Sequence, residues 1–330
     1  VVINSGNANA CLGERGEAIA RRMTSLAAEA LGVEEEEILA ASTGVIGQPM
    51  ELAAVAGGVK SAAGALSPTG GNSAAEAIMT TDTYPKQAAL ALRLGAREVR
   101  IGGMAKGSGM IHPNMATLLG FLTTDAPVGR EGLALALHQA VEGSFNAVTV
   151  DGDTSPCDSV LALANGQTGG EELMPGSPEF AAFAGGLSEV AKALARMVAR
   201  DGEGATKFVT ILVRGARTAE EGRRIGRSVA VSPLVKTAVF GADANWGRIL
   251  SAVGNAGVAI QPECVRIRLG PLLLCAGGAG VPFSEEEAKA ALEQRELTIE
   301  IDLGLGTAEA TVWTCDLSHD YIRINGSYRT

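Results

Sequence analysis

The chain has 330 residues, of which 46% are hydrophobic and 19% are charged, a composition that suits one large folded domain or two ordinary ones. Lysine and arginine number 27 against 37 aspartate and glutamate residues, which gives a net charge of −10. An acidic chain without a basic cluster and with only 4% aromatic residues is a poor candidate for binding nucleic acid or an anionic membrane surface.

The five cysteines are scattered along the chain without a CxxC pair, which argues against a zinc ribbon or a disulfide framework and favours a reducing cytoplasm. The longest apolar stretch, residues 271–283, is broken by glycines and is too short to span a bilayer. No signal peptide is recognisable. The chain begins at Val1 inside a predicted strand and without an initiator methionine, which leaves room for a preceding segment, a targeting sequence included.

Hydrophobic spacing predicts interleaved strands and helices along the first two-thirds of the chain. The predicted elements are a strand over 1–3, a helix over 14–31, a strand over 38–46, a helix from Pro49 to Val59, a hairpin over 88–101, a strand over 116–123, a helix over 130–142, a strand over 160–164, a helix over 179–200 and a strand over 208–213. Because strands and helices do not alternate strictly, we expect a layered mixed sheet rather than a doubly wound one.

The pattern of predicted elements changes after Gly215. A helix from Ala219, the segment 245–253, a strand near 265–269, a glutamate-rich helix from Ser284 and strands running through Ile324 form a second predicted group. We therefore predict a larger domain over residues 1–220 and a smaller C-terminal α/β domain over residues 221–330.

Several common functional motifs are missing. No glycine is followed by lysine, so there is no P-loop, and neither G-x-G-x-x-G nor G-x-S-x-G occurs. Residues 151–155 start like a calcium-binding loop, but Pro156 and Ala162 stand where glycine and glutamate are needed. Only three histidines exist, which gives little support to a metal site or a Ser-His-Asp triad. Of these, His112 could be a base, although a turn or hydrogen-bonding role is favoured.

The stretch over residues 102–121 is the most informative part of the sequence. It reads as a glycine-rich loop with Lys106, then a Pro113-Asn114 turn, then Ala116 and Thr117 at the start of a strand. From composition alone, Thr117 could be an ordinary strand residue, since threonine favours strands.

This stretch closely resembles the signature of the ornithine acetyltransferase (glutamate N-acetyltransferase) family, in which the chain cuts itself between the alanine and the threonine. The resemblance extends over essentially the whole chain, through seven further blocks in family order. These are residues 4–11 (NSGNANAC), 42–47 (STGVIG), 79–83 (MTTDT), 150–155 (VDGDTS), 202–207 (GEGATK), 245–249 (NWGRI) and 320–330 (DYIRINGSYRT).

The resemblance implies a mixed α/β fold, namely a layered αββα sandwich over residues 1–220 with the smaller second domain. It also implies self-cleavage into an α fragment, residues 1–116, and a β fragment, residues 117–330, that assemble as two copies of each. Thr117 would then be the nucleophile and its freed α-amine the base. The implied reaction moves an acetyl group from N2-acetyl-L-ornithine to L-glutamate by a ping-pong route in the arginine pathway. It needs no cofactor or metal and leaves acetyl-CoA open as a co-substrate.

Further residues match the family's site position by position. Thr43 and Gly44 correspond to the oxyanion hole, whereas Lys106 would bind the α-carboxylate and Glu203 the amine of ornithine. The remaining matches are Thr80, a hydroxyl donor, and Asn325 and Thr330 in a C-terminal tail that returns over the pocket. Without the resemblance, these residues would be interpreted as ordinary loop, turn and tail residues.

Two departures from the family pattern are visible. Pro156-Cys157-Asp158 stands where Thr-Asn-Asp is usual, and Ala244 stands where proline is common. Two other functions remain open. An aminopeptidase-like hydrolase would use water as the acceptor, although Lys106 with Glu203 favours an amino acid. A non-catalytic binding protein of the same fold would need none of the chemistry.

Overall fold

The computed structural model describes residues 1–112 and 118–327. Ala116, Thr117 and Thr330, three residues of the predicted site, lie outside the described residues. Helices and three β-sheets, some of them with parallel and antiparallel pairs together, make up the described part of the chain. The predicted mixed α/β class is therefore confirmed.

The N-terminal elements form a small parallel sheet covered by helices. They are β1 (Val2–Asn7), α1 (Glu14–Leu31), β2 (Ala40–Val45), α2 (Leu52–Gly64) and α3 (Gly71–Ala77), with a 3-10 turn over Glu35–Glu37. Helix α1 has its predicted bounds because Gly32 adopts a left-handed conformation, with φ of 69°, and donates its amide to the Ala28 carbonyl. Pro49 does not begin α2, which starts at Leu52.

A four-stranded sheet and two helices form the first large core. They are β3 (Lys86–Leu94), β4 (Arg97–Lys106), β5 (Leu119–Thr124), α4 (Arg130–Glu142), β6 (Ser159–Ala164) and α5 (Pro178–Arg200), with a 3-10 turn over Phe145–Ala147. Of the adjacent strand pairs only β5 and β6 run parallel. Helix α5 packs on β3 and β4, and the apolar side chains of Phe183, Leu187 and Leu194 on α5 are buried in this core.

The glycine-rich residues 102–106 belong to β4, so the prediction of a loop there was wrong. Gly103 serves close packing instead. A Cβ at Gly103 would lie 2.7 Å from Leu122 Cδ2 and 3.0 Å from Leu194 Cδ1, so a side chain here would crowd the contact between the sheet and α5. As a result, Lys106 is held at the end of a strand rather than in a loop.

The second core is built on a six-stranded mixed sheet. Its elements are β7 (Phe208–Ala216), α6 (Ala219–Ala230), α7 (Pro233–Phe240), α8 (Trp246–Gly254), β8 (Arg266–Leu269), β9 (Leu272–Ala276), β10 (Ala279–Gly280), α9 (Glu285–Leu292), β11 (Glu296–Asp302) and β12 (Ala308–Cys315), with a 3-10 turn over Pro262–Cys264. Strand β7 pairs with β11 and β12, so this sheet includes a strand that precedes the predicted boundary at residue 220.

The C-terminal segment is a helix, α10 (His319–Ser327), and the prediction of strands through Ile324 was wrong there. Ile322 and Ile324 alternate as strand residues do, but Ile322 is 67% exposed and faces no core. Ser318 caps the helix by accepting a hydrogen bond from the Asp320 amide at 3.1 Å. Among the helices of the described ranges, none has the length and hydrophobicity that crossing a membrane requires.

Candidate active site

A cavity of about 200 Å³ lies between β2, β4 and α10 and the loops beside them. Five of the predicted site residues line it although they come from distant parts of the sequence: Gly44, Thr80, Lys106, Glu203 and Asn325. The cavity is smaller than typical sites for drug-sized ligands, which makes it suitable for a small metabolite.

Thr43 and Gly44 lie near the end of β2, and of the two only Gly44 lines the cavity. Thr43 is fully buried, and its hydroxyl has no hydrogen-bond partner among the described residues. Gly44 has a φ of 133°, and a Cβ there would lie 2.2 Å from the carbonyl carbon of Gly6 on β1. Only glycine fits at this position. A buried hydroxyl without a partner is costly unless a ligand satisfies it.

The cavity lining includes a buried lysine. Lys106 is 3% exposed, and its Nζ donates to Thr80 Oγ1 at 2.7 Å and lies 3.8 Å from Asp82 Oδ2. Burial lowers the pKa of Lys106, and the nearby charge of Lys86 acts in the same direction, whereas Asp82 and Glu203 oppose it. We call Thr80 and Lys106 the basic end. Its poorly solvated ammonium can bind a carboxylate.

The cavity lining also includes a buried carboxylate. Glu203 is 5% exposed and its Oε2 accepts a hydrogen bond from Asn325 Nδ2 at 2.7 Å. The Glu203 amide donates to the Ser108 carbonyl at 2.9 Å. Gly109 makes room for this carboxylate, because a Cβ there would lie 2.3 Å from Glu203 Cδ. This part of the cavity can therefore hold an amine.

Asp151 and Tyr321 also line the cavity, and sequence reasoning assigned them no role. Asp151 accepts hydrogen bonds from the amides of Met110 and Ile111, at 2.7 and 3.0 Å, and from the Tyr321 hydroxyl at 3.2 Å. Burial raises the pKa of Asp151, although these hydrogen bonds oppose the shift. We call Asp151, Glu203, Tyr321 and Asn325 the acidic end. The only sequence signals were the positions of Asp151 and Tyr321 within family blocks.

Asp158 lies next to the segment that contains Thr117. Its Oδ1 accepts a hydrogen bond from the Leu118 amide at 2.9 Å, and Leu118 directly follows Thr117 in the chain. The other carboxyl oxygen, Oδ2, is buried without a partner among the described residues. Burial raises the pKa of Asp158 to about 8, against a lowering by hydrogen bonds from backbone amides and by Lys106. The carboxyl is therefore largely protonated at neutral pH.

Two other residues singled out in the sequence lie near the site. The Nδ1 atom of His112 is 3.1 Å from the hydroxyl oxygen of Thr149, and burial lowers the pKa of the imidazole. The thiol of Cys157 donates to the Ala8 carbonyl at 3.3 Å, and burial raises its pKa, so it remains a thiol. Within the described ranges, no group of histidine, cysteine and carboxylate side chains has a metal-binding arrangement.

Comparisons with known proteins identify the family. The family model for ArgJ matches residues 1–330. The arginine biosynthesis bifunctional protein ArgJ of Symbiobacterium thermophilum is 55% identical to this chain over all 330 residues, and the chain covers 82% of that relative. The protein of the same name from Geobacillus kaustophilus is 45% identical over all 330 residues, and the chain covers 80% of it. The crystal structure of the Bacillus halodurans protein of that name superimposes with a TM-score of 0.62 at 42% identity, covering 63% of this chain and 98% of the solved one. The chain therefore belongs to the ArgJ family and is an enzyme of arginine biosynthesis.

Proposed function

We propose that the chain is an acetyltransferase that moves the acetyl group of N2-acetyl-L-ornithine to L-glutamate through an acetyl ester on Thr117. One observation carries this proposal. A single small cavity is lined by both a buried ammonium, Lys106, and a buried carboxylate, Glu203. That arrangement suits substrates that are amino acids, because each has charged groups of both signs.

The basic end would bind the α-carboxylate that the donor and the acceptor share. Lys106 supplies the charge, and Thr80, whose hydroxyl oxygen already accepts a hydrogen bond from Lys106, has its own proton to donate to the substrate. Glu203 would bind the side-chain amine of ornithine, with Asn325 holding the carboxylate in place. Thr330 is proposed to complete this end from the C-terminal tail.

The oxyanion of the tetrahedral intermediate needs hydrogen-bond donors that are already in place. Thr43 offers a buried hydroxyl without a partner in the described structure, and Gly44 brings its backbone to the cavity wall. Removing one such donor typically reduces kcat by a factor of about 10²–10³. We propose that these two residues stabilise the oxyanion during both acetyl transfers.

The nucleophile would form by self-cleavage between Ala116 and Thr117. The Thr117 hydroxyl would attack the Ala116 carbonyl carbon, the C–N bond would break as the hydroxyl proton moves to the nitrogen, and water would hydrolyse the resulting ester. The freed α-amine, with a reference pKa of roughly 7.7–8.0, can then accept the hydroxyl proton in each transfer. Residues 117–330 make up about two-thirds of the chain, similar to the share that the solved relative covers.

The proposal extends to architecture, assembly and location. Ala41 on β2 packs with Leu119 and Phe121 on β5, while α1 covers β1 and β2 and α5 covers β3 and β4, which supports an αββα layering. A second unit would follow it, with a boundary near residue 220 or, given the pairing of β7, just before Phe208. We propose two α and two β fragments per molecule, a cytoplasmic location, and acetyl-CoA as a second acetyl donor, which the word "bifunctional" in the relatives' names supports.

Intact-mass spectrometry beside an acetyl-transfer assay tests the proposal. We expect two fragments that split between Ala116 and Thr117 in the parent protein, one intact chain in Thr117→Ala, and normal cleavage in Thr123→Ala, a matched change of an exposed threonine on β5. The cleaved protein should transfer acetyl from N2-acetyl-L-ornithine to L-glutamate. A folded parent that stays intact would overturn the self-cleavage. Release of acetate without transfer to glutamate would instead support a hydrolase.

A further inference from the structure

Lys86 is a completely buried lysine that lies behind the cavity and does not line it. It begins β3, and its Nζ lies 2.6 Å from Asp82 Oδ1 and 2.6 Å from Asp201 Oδ2. Two carboxylates thus share one ammonium in a place without water access. Burying these charges costs free energy of desolvation, so the ion pairs are weak evidence of a role in stability. We therefore consider which groups they hold in position.

Asp82 connects Lys86 to the basic end of the cavity. Its Oδ1, besides the bond to Lys86, accepts the Gly107 amide at 2.7 Å, and its Oδ2 accepts the Thr80 amide at 3.1 Å. The same Oδ2 lies 3.8 Å from Lys106 Nζ. Asp82 therefore lies near two lysines and is bound tightly by Lys86, which does not line the cavity.

Asp201 connects Lys86 to the acidic end. Its carboxylate accepts hydrogen bonds from the amide and the hydroxyl of Thr83, and its carbonyl accepts one from the Ser108 hydroxyl at 2.6 Å. The Ser108 carbonyl in turn accepts the Glu203 amide at 2.9 Å. One buried ammonium thus holds together the segments that carry both charged ends of the cavity.

We propose that Lys86 is a positioning residue that neutralises Asp82 and so keeps the Lys106 ammonium free to bind the carboxylate of the substrate. The effect on catalysis rests on the function proposed above. Without Lys86, two buried carboxylates would face a single ammonium. The flexible four-carbon side chain of Lys106 could cross the short gap to Asp82, and the cavity would lose its cation.

Two double variants with the same buried charge separate this role from a merely structural one. Lys86→Met with Asp201→Asn leaves Asp82 as the charged partner within reach of Lys106. Lys86→Met with Asp82→Asn leaves only Asp201, which does not contact Lys106. We expect KM for glutamate to rise about tenfold or more in the first variant and to stay within about threefold of the parent in the second, with kcat changing less than KM in both.

Lys236→Met is the control for the loss of a buried lysine. Lys236 is 4% exposed and bonds to Thr314 and Cys315 in the second core, so this variant should melt at a lower temperature with KM unchanged. Crystal structures of the two double variants provide a measurement that does not depend on activity. We expect Lys106 Nζ within hydrogen-bond distance of Asp82 only in the first.

The possible outcomes distinguish the two proposals. Equal KM values in an active pair of double variants, or a Lys106 that does not move toward Asp82, would overturn the role of Lys86. A parent protein that transfers no acetyl group would overturn the proposed function instead, and the crystal structures would still decide whether Lys86 keeps Lys106 away from Asp82.

Discussion

The two ends of the cavity are held in different ways. At the basic end, Lys106 is buried, and the neighbouring Asp82 is also buried and is fixed by its ion pair with Lys86 and by the Gly107 amide. At the acidic end, Glu203 is buried, but Asn325, its hydrogen-bond donor, is on α10, a helix without buried residues. The first end is part of the protein interior, whereas the second depends on a surface helix.

This difference between the two ends corresponds to one group that the proposed substrates share and one in which they differ. N2-acetyl-L-ornithine and L-glutamate share an α-carboxylate, but their side chains end in an amine and a carboxylate respectively. A rigid site is useful for the shared group because it costs no reordering on binding. An end that can rearrange is useful where the ligands differ in charge. The comparison predicts that changes at the basic end affect both substrates, and that changes at the acidic end affect them unequally.

The largest effect is expected from Lys106→Met. Removing one partner of a buried charged contact typically costs about 2–5 kcal/mol, so kcat/KM should fall by a factor of about 30–5,000 for N2-acetyl-L-ornithine and L-glutamate alike. Steady-state kinetics with each substrate varied in turn measures it. Lys60→Met, at an exposed lysine on α2, is the control and should be neutral. An effect on only one substrate would contradict a shared carboxylate site.

Gly109→Ala should impair the acidic end alone. The added methyl group would lie 2.3 Å from Glu203 Cδ, so the carboxylate has to leave its position. Because small misplacements of a binding group can cost about 10²-fold, we expect kcat/KM to fall by about 10–100-fold for N2-acetyl-L-ornithine and clearly less for L-glutamate.

Gly58→Ala, on α2 with nothing within 4 Å of the added methyl group, is the matched control for that measurement. It should leave both substrates unaffected and stabilise the helix slightly. Equal losses for the two substrates in Gly109→Ala would show that the ends do not act separately.

Asn325→Ala should have a smaller effect of the same kind. It removes one hydrogen bond of 2.7 Å to Glu203 from an exposed side chain, and such bonds are worth about 1 kcal/mol, or roughly a fivefold change. We expect KM for N2-acetyl-L-ornithine to rise by that factor. Asn255→Ala, at another exposed asparagine, is the control. A loss as large as that of Lys106→Met would mean that α10 is as firmly held as the basic end.

The smallest effects are expected in the pH dependence of stability, where two carboxyl groups should act in opposite directions. Burial alone would raise the pKa of Asp82, but its interactions with Lys86 and Lys106 outweigh burial and hold the pKa below the ordinary 3.8. The stability that Asp82 provides is therefore present above pH 3.8 and is lost as the pH falls through the folded-state pKa. Asp82→Asn should be most destabilising near neutral pH.

The contribution of Asp158 to stability depends on pH in the opposite direction to that of Asp82. Its pKa is raised from 3.8 to about 8, so its contribution is fully present below pH 3.8 and is lost as the pH rises toward 8. Asp158→Asn should therefore gain stability relative to the parent protein between pH 5 and pH 8. Urea unfolding at several pH values measures both variants. If the free energies of unfolding of Asp158→Asn and the parent changed with pH in parallel, this carboxyl would be ionised at neutral pH.

Local elements of the fold could be predicted because they depend on residues close together in the sequence. Helix α1 is right at both ends, since its apolar spacing continues until Gly32 allows the left-handed cap. The C-terminal helix was mistaken for a strand because Ile322 and Ile324 alternate, and the Ser318 cap outweighs that pattern.

The site could not be predicted from spacing. Lys86 and Asp201 are 115 positions apart, and neither periodicity nor a motif indicates that they pair. Resemblance to a family did suggest five residues that the cavity brings together, because it carries information about three-dimensional neighbours that one sequence lacks. It assigned no role to Lys86 or Asp158.

The pairing of β4 with β5 bears on how the protein can fold. Lys106 pairs with Leu119, and the ladder continues to Ile101 and Thr124, so the residues that join these strands connect direct neighbours in one sheet. Cleavage before Thr117, as proposed, would leave a single sheet made of two chains. The uncut precursor closes this ladder within one molecule, whereas separated fragments would first have to find each other. Once cleaved, the two fragments would refold less readily than the single-chain precursor folds. The lifetime of the mature enzyme would therefore depend on a low rate of unfolding.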